Sequence, residues 1–398
     1  MPAANPYLHQ SLRAFCLAAF ARLGSQAGEL PFVLEQRGTS FYEYRPLVRD
    51  HVEARSGVLA ALPDAAIALE ELRREPAAAV FCRAGSSDDR ALFRAILLPL
   101  LVRTAEACGG FDWDDGAFDH VYGEFVGALV GEERAYGAVA PLVGLSVAAP
   151  IELARGMRVV RTSSDELRGR WPESVGMLPA RFGLEPERSC VLELERRLSG
   201  TAQVPDVAAD FADAVTALRL ATAAPVAAGP VAFERLAWHP LGIRPLIGIA
   251  ASEPPGEATR LDVWRGGLAA EILDRLAAAE DDSSLGEALE RWELALFEGE
   301  PLRSERLREA IAALLGGADG LWAATMRASV LLGDTDQRLR ALGRGDRAAL
   351  EVAEDVRHAI VETLLHEDRD RLLVALDDAL LGLRAPPPGY YAARAATG

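Results

Sequence analysis

The last third of the chain constrains its fold most, because six consecutive segments there carry apolar residues at helical spacing. These segments follow one another between residues 263 and 384, and several end at a glycine, the residue that commonly stops a helix. Short connections between consecutive helices favour antiparallel packing. The sequence therefore predicts an all-α bundle over residues 259–385, followed by a tail over residues 386–398.

The segments before this bundle predict a mixture of helices and strands. In residues 1–137, an amphipathic pattern predicts a helix over His9–Gln26, and alternating apolar and polar residues predict a β-hairpin over Pro31–Val48. In residues 138–258, a predicted strand leads into a helix for which Thr162–Glu166 supplies capping oxygens and first-turn carboxylates. The predicted fold class is α+β, with mixed N-terminal and middle regions before the helical bundle.

Charge and composition exclude several classes of function. The net charge of −17 argues against broad, nonspecific nucleic-acid binding, which needs a basic surface, but leaves room for a small arginine-lined cleft. The sequence has no signal-peptide pattern and no run of eighteen apolar residues, so we expect a cytoplasmic protein that does not enter a membrane. Every basic residue other than histidine is arginine, which is typical of a GC-rich bacterial genome.

Recognised motifs are absent or weak. The chain has no phosphate-binding glycine loop, zinc-peptidase helix, calcium loop or paired-cysteine motif. Gly144–Ala148 resembles a nucleophile elbow only loosely, because it lacks the second glycine. Phe111–His120 gathers carboxylates that could ligate a hard cation, but an acidic loop and a helix cap are the more economical interpretation.

A stripe of polar residues at steps of four lies near the end of the predicted bundle: Glu354, His358, Glu362, His366 and Asp370. Successive members of such a stripe are about 40° apart on a helix. Its two histidines and the glutamate between them could bind a metal ion, although they span about 12 Å. The more economical interpretation is a solvated face with carboxylate–imidazole pairs.

Segments 288–316, 321–333 and 351–362 resemble, in that order, the HEPN superfamily of bacterial helical domains, including abortive-infection proteins. In that superfamily the active motif begins with an arginine, which is usually followed by a polar residue. A histidine completes the motif, with four to six residues between it and the arginine. Arg357 and His358 match the beginning of this motif.

The decisive histidine of the motif is replaced in this chain. Glu362 stands after four intervening residues, and Thr363 and Leu364 occupy the other permitted positions. His366 follows Arg357 only after eight, so the motif is degenerate.

The resemblance implies a metal-independent RNase site in active members, where two domains dimerise, arginine contacts the scissile phosphate and histidine assists the 2′-hydroxyl. For this chain it implies a homodimer through the bundle, RNA or a phage-derived or antitoxin protein as partner, and no cofactor. Two functions are the main hypotheses, and a third is weaker. One is a non-catalytic RNA-binding or protein-interaction module in phage defence or a toxin–antitoxin system. The other is an endoribonuclease that uses Arg357 with Glu362, His358 or His366; a metal-dependent hydrolase on the stripe is a third, weaker hypothesis.

Overall fold

The structure is a computed structural model, and it describes most of the chain. The described residues are 5–25, 32–37, 41–46, 48–82, 88–130, 133–171, 174, 176–179, 182, 189–199, 204–236, 239–246, 248–333, 349–366 and 368–390. Part of the predicted tail, residues 391–398, and the turn of the predicted hairpin, residues 38–40, lie outside these ranges.

The chain divides into two compact units that are each built from several segments. The first unit consists of Met1–Gly137, Glu195–Pro205 and Glu234–Gly242, and the second of Ala138–Leu194, Asp206–Phe233 and Ile243–Gly398. The described part of the chain is α+β, which confirms the predicted fold class at that level. None of the helices in this part is both long and apolar enough to cross a membrane.

The first unit is mainly helical. Its helices are α1 (Pro6–Ser25), α2 (Val48–Glu53), α3 (Ser56–Ala60), α4 (Pro63–Arg73), α5 (Asp89–Leu92), α6 (Leu98–Ala107) and α7 (Asp115–Val130). Helix α1 buries an apolar stripe and packs against α4 and α6. The predicted hairpin is confirmed: β1 (Phe32–Arg37) and β2 (Phe41–Pro46) pair antiparallel.

Seven strands among the described residues form one sheet. The remaining strands are β3 (Glu133–Val143), β4 (Leu145–Val147), β5 (Ile151–Ala154), β6 (Met157–Arg161), β7 (Cys190–Ser199), β8 (Ala227–Ala228), β9 (Val231–Leu236), β10 (His239–Pro245) and β11 (Thr259–Leu261). The order in the sheet is β10-β9-β3-β7-β6-β5, and β8 pairs with β3. Strand β11 pairs parallel with β4.

One face of β6 and β7 carries the core of the mixed region. Val160 lies opposite Val191, and helix α8 (Ser164–Arg170) covers them. The helix begins with a capping box in which Ser163 accepts from the Glu166 N–H and the Glu166 carboxylate accepts from the Ser163 N–H. The predicted strand-to-helix transition is therefore confirmed, and Leu167 joins the apolar cluster from the helix side.

The second unit contains eight further described helices. They are α9 (Val207–Thr222), α10 (Gly248–Ala251), α11 (Val263–Ala278), α12 (Ser283–Ala295), α13 (Leu302–Leu315), α14 (Gly320–Leu332), α15 (Ala349–Leu365) and α16 (Arg369–Leu380). Helix α15 packs against α9, α11, α12, α13, α14 and α16. Its side chains are therefore covered from several directions.

Arginine side chains close the end of α13. The last carbonyls of a helix have no partner inside the helix. Arg369 donates to the carbonyls of residues 313 and 314 at 3.0 and 2.7 Å, and Arg327 donates to those of residues 315 and 316 at 2.7 and 3.1 Å. Arg327 also pairs with Asp377 on α16 at 2.7 Å. Four consecutive carbonyls thus accept from two guanidinium groups.

Candidate functional site

Helix α15 carries Arg357, His358 and Glu362, and His366 follows its last residue. The helix forms here because apolar residues occupy most of its other positions, and those from Val356 to Leu365 are buried. Glu362 is only 3% exposed. The interpretation of the stripe as a solvated face is therefore wrong at Glu362, because other elements cover that side of the helix.

Arg357 is buried and hydrogen-bonded to other residues of its own chain. Its side chain is 4% exposed, and it donates to the Leu220 carbonyl near the end of α9 and to both carboxylate oxygens of Glu354, with 2.8 Å between Arg357 Nε and Glu354 Oε2. His358 Nε2 lies 3.0 Å from Glu354 Oε1. Burial alone would raise the pKa of Glu354, but the hydrogen bonds and positive charges of Arg357 and His358 outweigh it and hold that pKa well below its usual range.

Glu362 and His366 contact a different part of the molecule. Glu362 Oε2 accepts from the backbone N–H of Tyr390 at 2.9 Å. The rings of His366 and Tyr390 meet edge to face with 4.7 Å between their centroids. Burial lowers the pKa of His366, and the negative charge of Glu362 and a hydrogen bond to the Pro388 carbonyl offset this only in part.

The four predicted residues therefore form two groups. Arg357 and Glu362 are five residues apart, or about 140° around the helix. Arg357 faces the end of α9, and Glu362 faces the C-terminal segment. His366 is nine residues from Arg357, which again places it on nearly the opposite side. The structure joins Arg357 with His358 through Glu354, and it joins Glu362 with His366 through Tyr390.

The stripe does not form a metal site. Among the residues that the structure describes, no group of three or more histidine, cysteine, aspartate or glutamate side chains could hold a metal ion. His358, Glu362 and His366 all belong to that part of the chain, so the described residues offer the metal-dependent hydrolase hypothesis no group of three ligands on the stripe.

The acidic segment and the loose nucleophile-elbow pattern both have structural roles. In Phe111–His120, Asp114 accepts from the N–H of Gly116 at 2.7 Å and so caps α7, which confirms the acidic loop and cap. Ser146 of the loose nucleophile-elbow pattern lies within β4, which pairs with β11, and not at a turn between a strand and a helix.

Sequence reasoning missed the buried arginine of α9. Arg219 is 1% exposed and donates to the carbonyls of Val226, Ile249 and Ser252 at 2.7, 2.9 and 2.9 Å. It also pairs with Glu293 of α12 at 3.1 Å. The sequence does contain a hint, because apolar residues stand directly before and after Arg219 in a segment of helical spacing.

A comparison with protein-family models, curated proteins and solved structures found no match. The resemblance to the HEPN superfamily therefore rests on sequence patterns, of which those in the three C-terminal segments are the most specific.

Proposed function

We propose that this chain is a HEPN-like interaction module without RNase activity, which forms a homodimer through its C-terminal helices and acts in bacterial phage defence or a toxin–antitoxin system. The setting is inferred from the resemblance. The lack of catalysis is inferred from one observation, the burial of Arg357 with its guanidinium on Glu354 and Leu220. An arginine that binds a scissile phosphate must present its donor fork to the ligand.

Glu362 is equally badly placed to replace the histidine of the motif. A general base must come within hydrogen-bond reach of the proton that it removes. Glu362 is buried, and one of its oxygens already accepts from Tyr390. It also faces away from Arg357, so the two side chains do not contact the same phosphate group.

A protein is the better-supported partner than RNA. The net charge of −17 opposes a polyanion. Several large apolar side chains of the second unit are exposed, and the largest of them, Trp322 at the start of α14, is 71% exposed. Tryptophan is the residue type most enriched at the energetic centres of protein interfaces. An antitoxin, a phage-derived protein or a second copy of the chain could bury it.

The test is RNA cleavage in the presence of EDTA by the purified protein, by Arg357→Ala and by Arg371→Ala as a matched control. Arg371 is an arginine of the next helix whose side chain is 88% exposed. We expect no cleavage by any of the three. Cleavage that Arg357→Ala abolishes and Arg371→Ala retains would overturn the proposal in favour of the endoribonuclease.

The dimer is tested separately by light scattering after gel filtration. We expect a dimer for the native chain and a shift towards monomer for Trp322→Ser, with Val58→Ser as a control because this exposed valine belongs to the first unit. A native monomer at all concentrations would refute the dimer. A dimer that Trp322→Ser leaves intact would remove Trp322 from its interface.

A further inference from the structure

The C-terminal segment 386–390, which we call the strap, lies on the face of α15 that carries Glu362 and His366. It begins with three prolines and continues with Gly389 and Tyr390. Prolines have no N–H to donate and a fixed φ, so this segment favours an extended conformation before it contacts anything. Only Gly389 and Tyr390 offer a backbone N–H, and the N–H of Tyr390 is the one that Glu362 accepts.

The buried carboxylate explains why this contact is specific. A charged group that is removed from water needs a hydrogen-bond donor. Tyr390 supplies such a donor to Glu362 at 2.9 Å, and its ring lies against His366. Glu362 and His366 thus recognise backbone and ring groups that many extended peptides with an aromatic residue would present.

The strap is attached lightly, whereas the turn before it is firmly held. At that turn Gly382 adopts a φ of 70°, and the N–H of Leu383 donates to the Asp378 carbonyl at 2.8 Å. Beyond the turn, Pro386 and Pro388 are exposed, and so is much of Tyr390. A segment with few buried apolar contacts and a fixed pivot opens at low free energy.

We infer that Glu362 and His366 form a binding site for an extended, proline-containing peptide with an aromatic side chain, and that the strap fills this site until a partner peptide displaces it. The inference rests on the proposed protein-interaction function, since it supplies the site and the class of partner. An extended segment with prolines loses little conformational entropy when it binds, so strap and partner compete on similar terms.

The first test uses the full chain with Tyr390→Pro, which removes both the ring and the N–H, and Tyr390→Phe as a matched control that keeps both. Diethyl pyrocarbonate modifies accessible imidazoles, and mass spectrometry can follow His366 and His358 in the same sample. We expect His366 to react about tenfold faster in Tyr390→Pro, relative to His358, because the strap no longer covers it. Tyr390→Phe should match the native chain.

The second test adds a capped synthetic peptide of residues 384–390 to the Tyr390→Pro chain. We expect the peptide at about 1 mM to slow the modification of His366 back towards the native rate. This concentration is chosen because the effective concentration of a tethered segment is on that scale. The same peptide with proline in place of Tyr390 should not.

An unchanged His366 rate in a folded Tyr390→Pro chain would overturn the inference, and so would a peptide that gives no protection. If Tyr390→Pro lowers the helical circular dichroism, Glu362→Ala replaces it in the first test only, since this variant removes the acceptor of the Tyr390 N–H for the strap and for an added peptide alike. These outcomes concern only whether the strap covers the His366 side chain. They are independent of RNA cleavage and dimerisation, which decide the proposed function.

Discussion

Replacement of Arg357 by alanine separates a structural arginine from a catalytic one. The variant leaves the buried Leu220 carbonyl without the guanidinium donor, which costs about 1–3 kcal/mol. It also removes the ion pair with Glu354, whose side chain is 44% exposed, so solvent screening limits this contribution to about 0.5–1 kcal/mol. We expect the free energy of unfolding to fall by about 1.5–4 kcal/mol in total.

Urea unfolding followed by far-ultraviolet circular dichroism measures this loss. With a slope near 3 kcal/mol per molar urea, the midpoint of the transition should fall by roughly 1 M. Arg371→Ala is the control, because its side chain is 88% exposed and pairs with the nearby Asp368 at 3.0 Å. We expect its free energy of unfolding to stay within about 0.5 kcal/mol of the native value.

A midpoint for Arg357→Ala that equals the native one would refute this reasoning. It would mean that the guanidinium contributes nothing to the fold, and that its contacts with α9 and Glu354 do not persist in solution. A third variant, Arg357→Met, fills most of the same volume without a donor. It should lose nearly as much stability as the alanine variant if hydrogen bonding, and not packing, is the main effect.

Three further predictions follow from the same structure. Arg219→Met should lower the free energy of unfolding by about 3–5 kcal/mol in the same assay, because buried carbonyl and carboxylate acceptors lose their donor; a loss below about 1 kcal/mol would contradict this. Gly144→Ala should lower the free energy of unfolding by about 2–4 kcal/mol. Gly144 has a φ of 83°, and an added Cβ would lie 2.2 Å from the Pro225 carbonyl oxygen. The control Gly24→Ala should not destabilise the chain, because the space around Gly24 is open. Burial lowers the pKa of His366, so the unfolded chain takes up this proton first as the pH falls, and stability should decrease from about pH 6.5 downward. The native chain should therefore lose more stability between about pH 7.5 and pH 5.5 than His366→Phe does, and equal losses would argue against a buried neutral imidazole.

The sequence predicted those elements that depend on neighbouring residues. The capping box of Ser163 and Glu166 is a pattern over four positions, and it occurs where the sequence placed it. The β-hairpin and the helix α1 follow from apolar periodicity alone. These features were accessible because their cause lies within one or two turns of chain.

The surroundings of the candidate site could not be predicted in this way. Helical spacing tells which residues share a face, but not what covers that face. The acceptor of Arg357 is 137 residues away, and the donor to Glu362 is 28 residues away. Glu362 was therefore expected in water and lies under the strap. Arg219 was missed for the same reason, since its acceptors come from three separate segments.

The closed end of α13 has a consequence for how the chain folds. Its last carbonyls accept from Arg369, which lies 55 and 56 residues further on, and from Arg327, which is held by Asp377 of α16. During synthesis these carbonyls therefore gain their arginine donors only after α16 has emerged. Helices α13, α14 and α16 should consequently gain and lose hydrogen-exchange protection together, as one cooperative unit that local helix propensity alone would not produce.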